Sequence, residues 1–292
     1  MESQPNLVAE LLQLLNLEPL EVNIYRGRNR DIGTGRVFGG QVFAQALVAA
    51  RRTVDEPREA HSVHGYFLRA GDLEAPIVYF VDRPRDGGSF TSRRVTAIQH
   101  GETIFHLSAS FHAAEPGLEH QAEMPVVPPP ESLAPELDFV REMADRIPAH
   151  LRQVLTQDRP IDFRPVAVLD PFKPEQRSPV RHVWFRAIAR LPDDQIVHHA
   201  LLAYVSDYGL LPTALYPHGV GYRDRRLQMA SLDHALWLHR PFRADDWLLY
   251  SIDSPAAAGA RGFVRGMIFT RDGQLVASVA QEGLIRVRGE TG

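Results

Sequence analysis

The sequence predicts an α+β fold made of two tandem units, each an antiparallel sheet wrapped around a central helix. Three observations carry this. Two helical stretches are apolar on nearly every face, the strand-like segments follow each helix in a run, and the second half repeats the first. A helix without a polar stripe belongs in an interior. A run of strands after one helix then supplies the wall around it.

The elements follow in order along the 292 residues. Leu7, Leu11, Leu14 and Leu15 recur at helical spacing within residues 1–20, and Pro19 is expected to stop that helix. Val22–Tyr25 reads as a short strand. The glycines of residues 31–50 suggest a dinucleotide fingerprint, but its spacing fails at Phe38. Gly39-Gly40 instead reads as a tight entry to a buried helix from about Gln41 to Arg51. Strands are expected at Ser62–Leu68, Ile77–Asp82, Phe90–His100 and Thr103–His112. The last alternates, with Phe105, Leu107, Ala109 and Phe111 on one side. His100-Gly101 reads as a hairpin turn.

Pro116, Gly117 and Pro128-Pro129-Pro130 mark a linker, with a short helical segment between Pro135 and Leu155. Ile161–Leu169 is extended and Val183–Arg190 is a strand. A second buried helix then runs through Ala200, Leu201, Leu202, Ala203 and Val205 to Ser206-Asp207, closed by Gly209 and Pro212. Leu232–Leu238, Trp247–Ser254, Gly262–Thr270 and Leu275–Glu282 complete the strands, with a turn at Asp272-Gly273. The expected organisation is an N-terminal unit (1–114), a linker with a short helical segment (115–160) and a C-terminal unit (161–292).

The repeat is visible by offset. HSVHGYFL at 61–68 resembles SLDHALWL at 231–238, placing His64 over His234 at an offset of 170. Gly101 over Gly273, and Arg93 over Arg265, give 172. Two such units can join edge to edge, which covers their open sheet edges. Asp207 has no acidic counterpart in the first buried helix. With Ser231, expected to begin a strand, and Gln281, expected to end one, it forms a polar set specific to the second half. A carboxylate on a buried helix costs several kcal/mol unless it is paired. That makes Asp207 a functional candidate, against the plainer reading of a helix end touching water.

Composition excludes several classes. A net charge of −4 argues against nucleic-acid binding. With no cysteine there are no disulfides, thiolate nucleophiles or cysteine metal sites. No signal peptide, membrane span or peroxisomal Ser-Lys-Leu address is read, so a cytoplasmic protein is expected. His198-His199 and His234/His239 lack a metal-binding arrangement, and Ser231, Asp233 and His234 stand too close in sequence for a hydrolase triad.

The stretches RVFGGQVFAQAL (36–47), HSVHGYFLRAGD (61–72), RDGGSFTSRRVTAIQHG (85–101), SLDHALWLHRPFRADDWLLY (231–250), ARGFVRG (260–266) and QEGLIRV (281–287) closely resemble the acyl-CoA thioesterase II family over nearly the whole chain. The resemblance implies a double hot-dog fold, hydrolysis of fatty acyl-CoA to free fatty acid and CoA, and a place in lipid metabolism. It also implies a catalytic set at Asp207, Ser231 and Gln281. Bacterial members commonly carry Thr where Ser231 stands. Asp207 would activate a water as general base or attack directly through an anhydride, with Ser231 and Gln281 positioning the water. The apolar residues of both helices are expected to line an acyl channel. Arg261, Arg265 and His64 are candidate substrate-binding residues, each with a competing structural role. No cofactor or metal is implied, acyl-CoA is the expected partner, and a homo-oligomer is expected by resemblance. Two alternatives stay open: a non-catalytic acyl-CoA binder, which would release no CoA, and a hot-dog dehydratase or hydratase, which enoyl-CoA absorbance would reveal.

Overall fold

The computed structural model describes residues 6–55, 57–221, 224 and 226–288. Its first element is helix α1 (Leu7–Leu15), which buries Val8, Leu11, Leu14 and Leu15. Asn6 caps it, accepting from the Ala9 N–H at 3.1 Å. The helix ends at Leu15, earlier than the expected stop at Pro19, and residues 1–5 lie outside the described residues. Pro19 falls in an edge strand, β1 (Glu18–Glu21), where a missing N–H is tolerated.

The strands that follow are β2 (Ile24–Gly27), β3 (Arg58–Phe67), β4 (Ile77–Asp86), β5 (Phe90–Gln99), β6 (Glu102–Ala113), β7 (Ile161–Pro165), β8 (Val180–Ala187), β9 (Leu227–Ser231), β10 (Asp233–Leu238), β11 (Leu248–Ala258), β12 (Arg261–Thr270) and β13 (Leu275–Val287). Among the described residues they form one antiparallel sheet in the order β1-β2-β4-β5-β6-β3-β10-β13-β12-β11-β8-β7, with β9 paired to β13. The first half of this order packs on helix α2 (Gly39–Arg51). The second packs around helix α5 (Gln195–Ser206). The halves join edge to edge at β3 and β10, where His64 opposes Ala235 and Gly65 opposes His234. This is a double hot-dog, as expected, and the join removes two open edges.

Helices α2 and α5 pack against each other with opposed ends. A Cβ at Gly40, in the first turn of α2, would run into the carbonyl oxygen of Tyr204, in the last turn of α5. Glycine at this position therefore sets how closely the helices approach. Phe43 and Leu47 of α2 and Leu201 and Leu202 of α5, among the apolar residues expected to line an acyl channel, are fully buried in the core.

The repeat is real, but its register slips between strands. Arg93 pairs with Ala109, whereas Gln281 pairs with Val264. With Ala109 over Gln281, the counterpart of Arg93 is therefore Val264 rather than Arg265. The faces agree: Arg93 is fully buried and hydrogen-bonds both Oγ1 and the carbonyl of Thr53, whereas Arg265 points outward. Likewise, His64 faces out and His234 faces in. Similarity of sequence across the repeat does not ensure a shared face, because a one-residue slip inverts a strand.

The proline-rich linker is an ordered strap. Met124, Val127 and Leu133 pack on Trp184, Leu249 and Phe269, which form a second small core on the outer face of the C-terminal half. Trp184 Nε1 donates to the Pro128 carbonyl at 2.9 Å. Gln121 bonds the turn at Gly273 and the N–H of Leu275. After the strap come α3 (Glu136–Glu142) and α4 (Ala149–Thr156). No helix among the described residues is long and apolar enough to cross a membrane.

Candidate active site

Asp207 is the C-cap of α5, with αR backbone angles and a side chain only 8% exposed. It stands at a helix end but is not open to solvent. The C-terminal end of its own helix repels a negative charge, whereas the N-terminal end of α2 attracts one. Asp207 Oδ2 lies against that N-terminus: a Cβ added to Gly39 would sit 2.8 Å from it. Phe38, the N-cap of α2, supplies no side-chain acceptor. Gln41 and Val42 donate back to the Phe38 carbonyl, so the first-turn N–H groups of Gly39 and Gly40 have no intrahelical partner.

Gln281 lies in the middle of β13 rather than at its end. Its Nε2 donates to Asp207 Oδ1 at 2.7 Å and to His234 Nδ1 at 3.1 Å. An amide NH₂ can only donate, so His234 Nδ1 accepts and its proton is on Nε2. That proton goes to Ser206 Oγ at 2.8 Å, and Ser206 donates in turn to the Ala203 carbonyl at 2.9 Å. The Ser206 carbonyl accepts from Tyr250 OH at 2.7 Å. The whole chain points one way, from β11 and β13 to the end of α5, and it holds Asp207 from behind. Local sequence makes room for it. A Cβ at Gly266 would collide with the Tyr250 ring, and one at Gly65 with Phe105, whose neighbour Phe43 meets the His234 ring edge to face at 4.7 Å.

Ser231 is the last residue of β9 rather than the start of the strand expected at Leu232–Leu238, which is β10. It opposes Gly283 and shares the sheet face of Gln281, two residues away. Among the described residues its hydroxyl has no hydrogen-bond partner. The structure thus joins Asp207 and Gln281 directly and places Ser231 at the diagonal position.

Arg261, Arg265 and His64 do not join this set. Both arginines lie on the outer face of β12, opposite in direction to Val264 and its partner Gln281. Arg261 is held by Glu282 at 2.9 Å and Arg265 by Asp253 at 2.7 Å. His64 lies on the outer face of the join, with Nε2 3.3 Å from Asp233 Oδ2. Their partners are carboxylates of the sheet surface, which explains the positions without a ligand.

The residues that sequence reasoning missed are His234, Ser206, Tyr250 and Gly39. A signal existed for His234, which sits inside the repeated motif but whose counterpart offered no hint of burial. Gly39 reads locally as a helix entry, and nothing local links it to Asp207.

Burial pushes the His234 pKa down, partly opposed by Asp207 and Asp233, in keeping with the neutral ring inferred from the hydrogen bonds. Burial, with His198 and Arg51 nearby, lowers His199 to about 4. His61, His182, His198 and His239 are lowered chiefly by burial as well. A lowered folded pKa means that unfolding takes up protons. Stability is therefore fully present above the unfolded histidine value of about 6.5 and falls as pH drops towards 4. For His199 alone the loss is about 3 kcal/mol. Urea midpoints measured from pH 7.5 to 4.5 should fall steadily, and His199→Gln should flatten the slope. An unchanged slope in that variant would refute the assignment.

The molecule is thus a double hot-dog with a buried carboxylate–amide pair where its two central helices meet. Residues 150–284 match the family model for acyl-CoA thioesterase, and residues 27–112 match that for the acyl-CoA thioesterase N-terminal domain. The chain belongs to the acyl-CoA thioesterase family. It is 41% identical to acyl-CoA thioesterase 2 of Haemophilus influenzae, covering 96% of this chain and 98% of that one. It is 43% identical to human acyl-coenzyme A thioesterase 8, covering 94% and 88% respectively. The solved structure of an acyl-CoA thioesterase II from Mycobacterium marinum is 46% identical, with a TM-score of 0.78 over 95% of this chain and 98% of that one.

Proposed function

We propose that the protein hydrolyses fatty acyl-CoA with Asp207 as general base, and that Ser231 and Gln281 position the attacking water. The observation that supports this best is the placement of Asp207. One carboxylate oxygen is fixed by Gln281, and the other faces the free N-terminus of α2. Gln281 Oε1 is buried without a partner, so it is available to accept from a water. Diagonal positions on neighbouring strands are roughly 7–8 Å apart, which leaves room for a water between the Ser231 and Gln281 side chains.

In this reading the water oxygen attacks the thioester carbonyl carbon and its proton passes to Asp207. The oxyanion forms at the N-terminus of α2, where the Gly39 and Gly40 N–H groups lie. As the tetrahedral species collapses, the C–S bond breaks and the CoA sulfur takes the proton. The products are a free acid and CoA. The residues supply orientation and charge, and no cofactor is required.

The acyl chain is assigned to an apolar cleft of about 360 Å³ whose wall includes Tyr208 and Gly209, directly after Asp207. Phe139, Val140, Leu215 and Tyr216 also line it. The same reading places the enzyme in the cytoplasm as a homo-oligomer. Tyr66, Phe80 and Trp237, exposed on the outer sheet face, support self-association, which sedimentation would test.

Thiol release from acyl-CoAs tests the proposal. The protein has no cysteine, so a thiol-reactive dye responds only to liberated CoA. The native enzyme should release CoA, and Ser231→Ala should lower kcat by about 10–100-fold. Binding of acyl-CoA without release by the native protein would refute hydrolysis and favour the binder reading.

A further inference from the structure

The cleft assigned to the acyl chain has a neighbour. A second cleft of about 370 Å³ lies between α3 and β7, lined by the apolar side chains of Leu7, Leu137, Ile161, Phe163 and Ile188 and by Asp138, Asp158 and Asp162. Glu136 and Arg159 line both clefts. They are paired at 3.2 Å, and each is about four-fifths buried.

The pair is fixed from several sides. Glu136 Oε2 also accepts from Tyr208 OH at 3.0 Å, and Oε1 lies 3.3 Å from Arg181 Nη2. Arg159 Nη1 donates to Tyr208 OH at 2.9 Å, and its Nη2 donates to the Leu155 carbonyl at 3.0 Å. Tyr208 stacks on Phe163 at 4.4 Å, so Phe163, in the wall of the second cleft, braces a residue in the wall of the first. Burial raises the Tyr208 phenol pKa, assisted by Glu136, so it remains a neutral donor in this network.

We infer that the Glu136–Arg159 pair is a partition that ends the acyl cleft and so determines the acyl-chain length the enzyme accepts. The inference rests on the assignment of the acyl chain to the first cleft. A methylene chain cannot satisfy a charged pair, so a chain that reaches the pair gains nothing by displacing it. With the partition removed, the apolar wall of the second cleft becomes available. Each methylene that enters then improves kcat/KM by up to about fourfold. Glu136 belongs to the linker between the two units, so this assigns the linker a role in specificity.

The test compares palmitoyl-CoA with octanoyl-CoA by thiol release. The variant Glu136→Ala/Arg159→Ala removes the pair together, and Arg181, which loses Glu136, keeps its bond to the Gly209 carbonyl at 3.0 Å. The palmitoyl-to-octanoyl ratio of kcat/KM should rise at least about tenfold. Glu136→Gln, which keeps the shape and one acceptor oxygen but can turn only an NH₂ towards either Arg181 or the Tyr208–Arg159 side, should stay nearer the native ratio than the double variant. Ala167→Trp, which fills the first cleft from its wall, tests the underlying assignment and should penalise palmitoyl-CoA most. If Ala167→Trp leaves the whole series unchanged, the acyl assignment of the cleft falls. If it truncates the series while the folded double variant scales all chain lengths equally, the partition alone is refuted.

Discussion

Asp207→Asn is expected to lower kcat for acyl-CoA hydrolysis by about 10²–10⁴-fold, the range a positioned general base contributes. The change is nearly isosteric. Asn can still accept from Gln281 Nε2 through Oδ1, so the bond that fixes the side chain is kept. The His234–Ser206–Tyr250 chain does not use the carboxylate as a donor or as an acceptor, and it should remain intact. The change therefore removes basicity while sparing the scaffold. Circular dichroism and thermal melting should match native protein, and acyl-CoA binding should persist. Full activity in a folded Asp207→Asn variant would remove Asp207 from the chemistry and leave the reaction class standing.

The reason that Asp207 was legible in the sequence is instructive. A carboxylate just past the apolar run from Ala200 to Val205 is a local conflict, and local conflicts mark sites that structure must compensate. The compensation itself was not legible. It comes from a glutamine on β13 and from the N-terminus of a helix in the other half of the chain. Periodicity reports which residues face inward, and it found both buried helices and most strands. The turn at His100-Gly101 was also legible, and both residues adopt positive φ, 51° and 77°. Periodicity does not report which distant residues meet. The separate strand β9, the face of Arg265 and the burial of His234 all depend on register between strands. One slipped residue reverses them, and no local signal records it. The linker shows the same limit: its prolines announced an irregular segment, but the outer face it covers became apparent only once Trp184 and Phe269 were placed.

Gly39→Ala should separate stability from activity. The φ of Gly39 is not positive, so alanine can adopt the backbone without strain. Alanine is the better helix former by up to about 1 kcal/mol, which offsets part of the cost of disturbing the Asp207–Gln281 bond, so the melting temperature should stay near native. Activity should fall by about 10²-fold, because the new methyl would sit 2.8 Å from Asp207 Oδ2 and 3.1 Å from Phe67 Cζ. The carboxylate must turn, and its bond to Gln281 with it. The methyl also narrows the approach to the first-turn N–H groups proposed to hold the oxyanion. Asp207→Asn/Gly39→Ala tests this coupling. If the glycine serves the carboxylate, the double variant should be hardly slower than Asp207→Asn alone, since neighbouring sites that act together are not additive. Two independent losses that multiply would instead assign Gly39 to the oxyanion site and not to Asp207. Glycine here is what a site built between two packed helices requires: the space beside the carboxylate has to stay empty for the substrate.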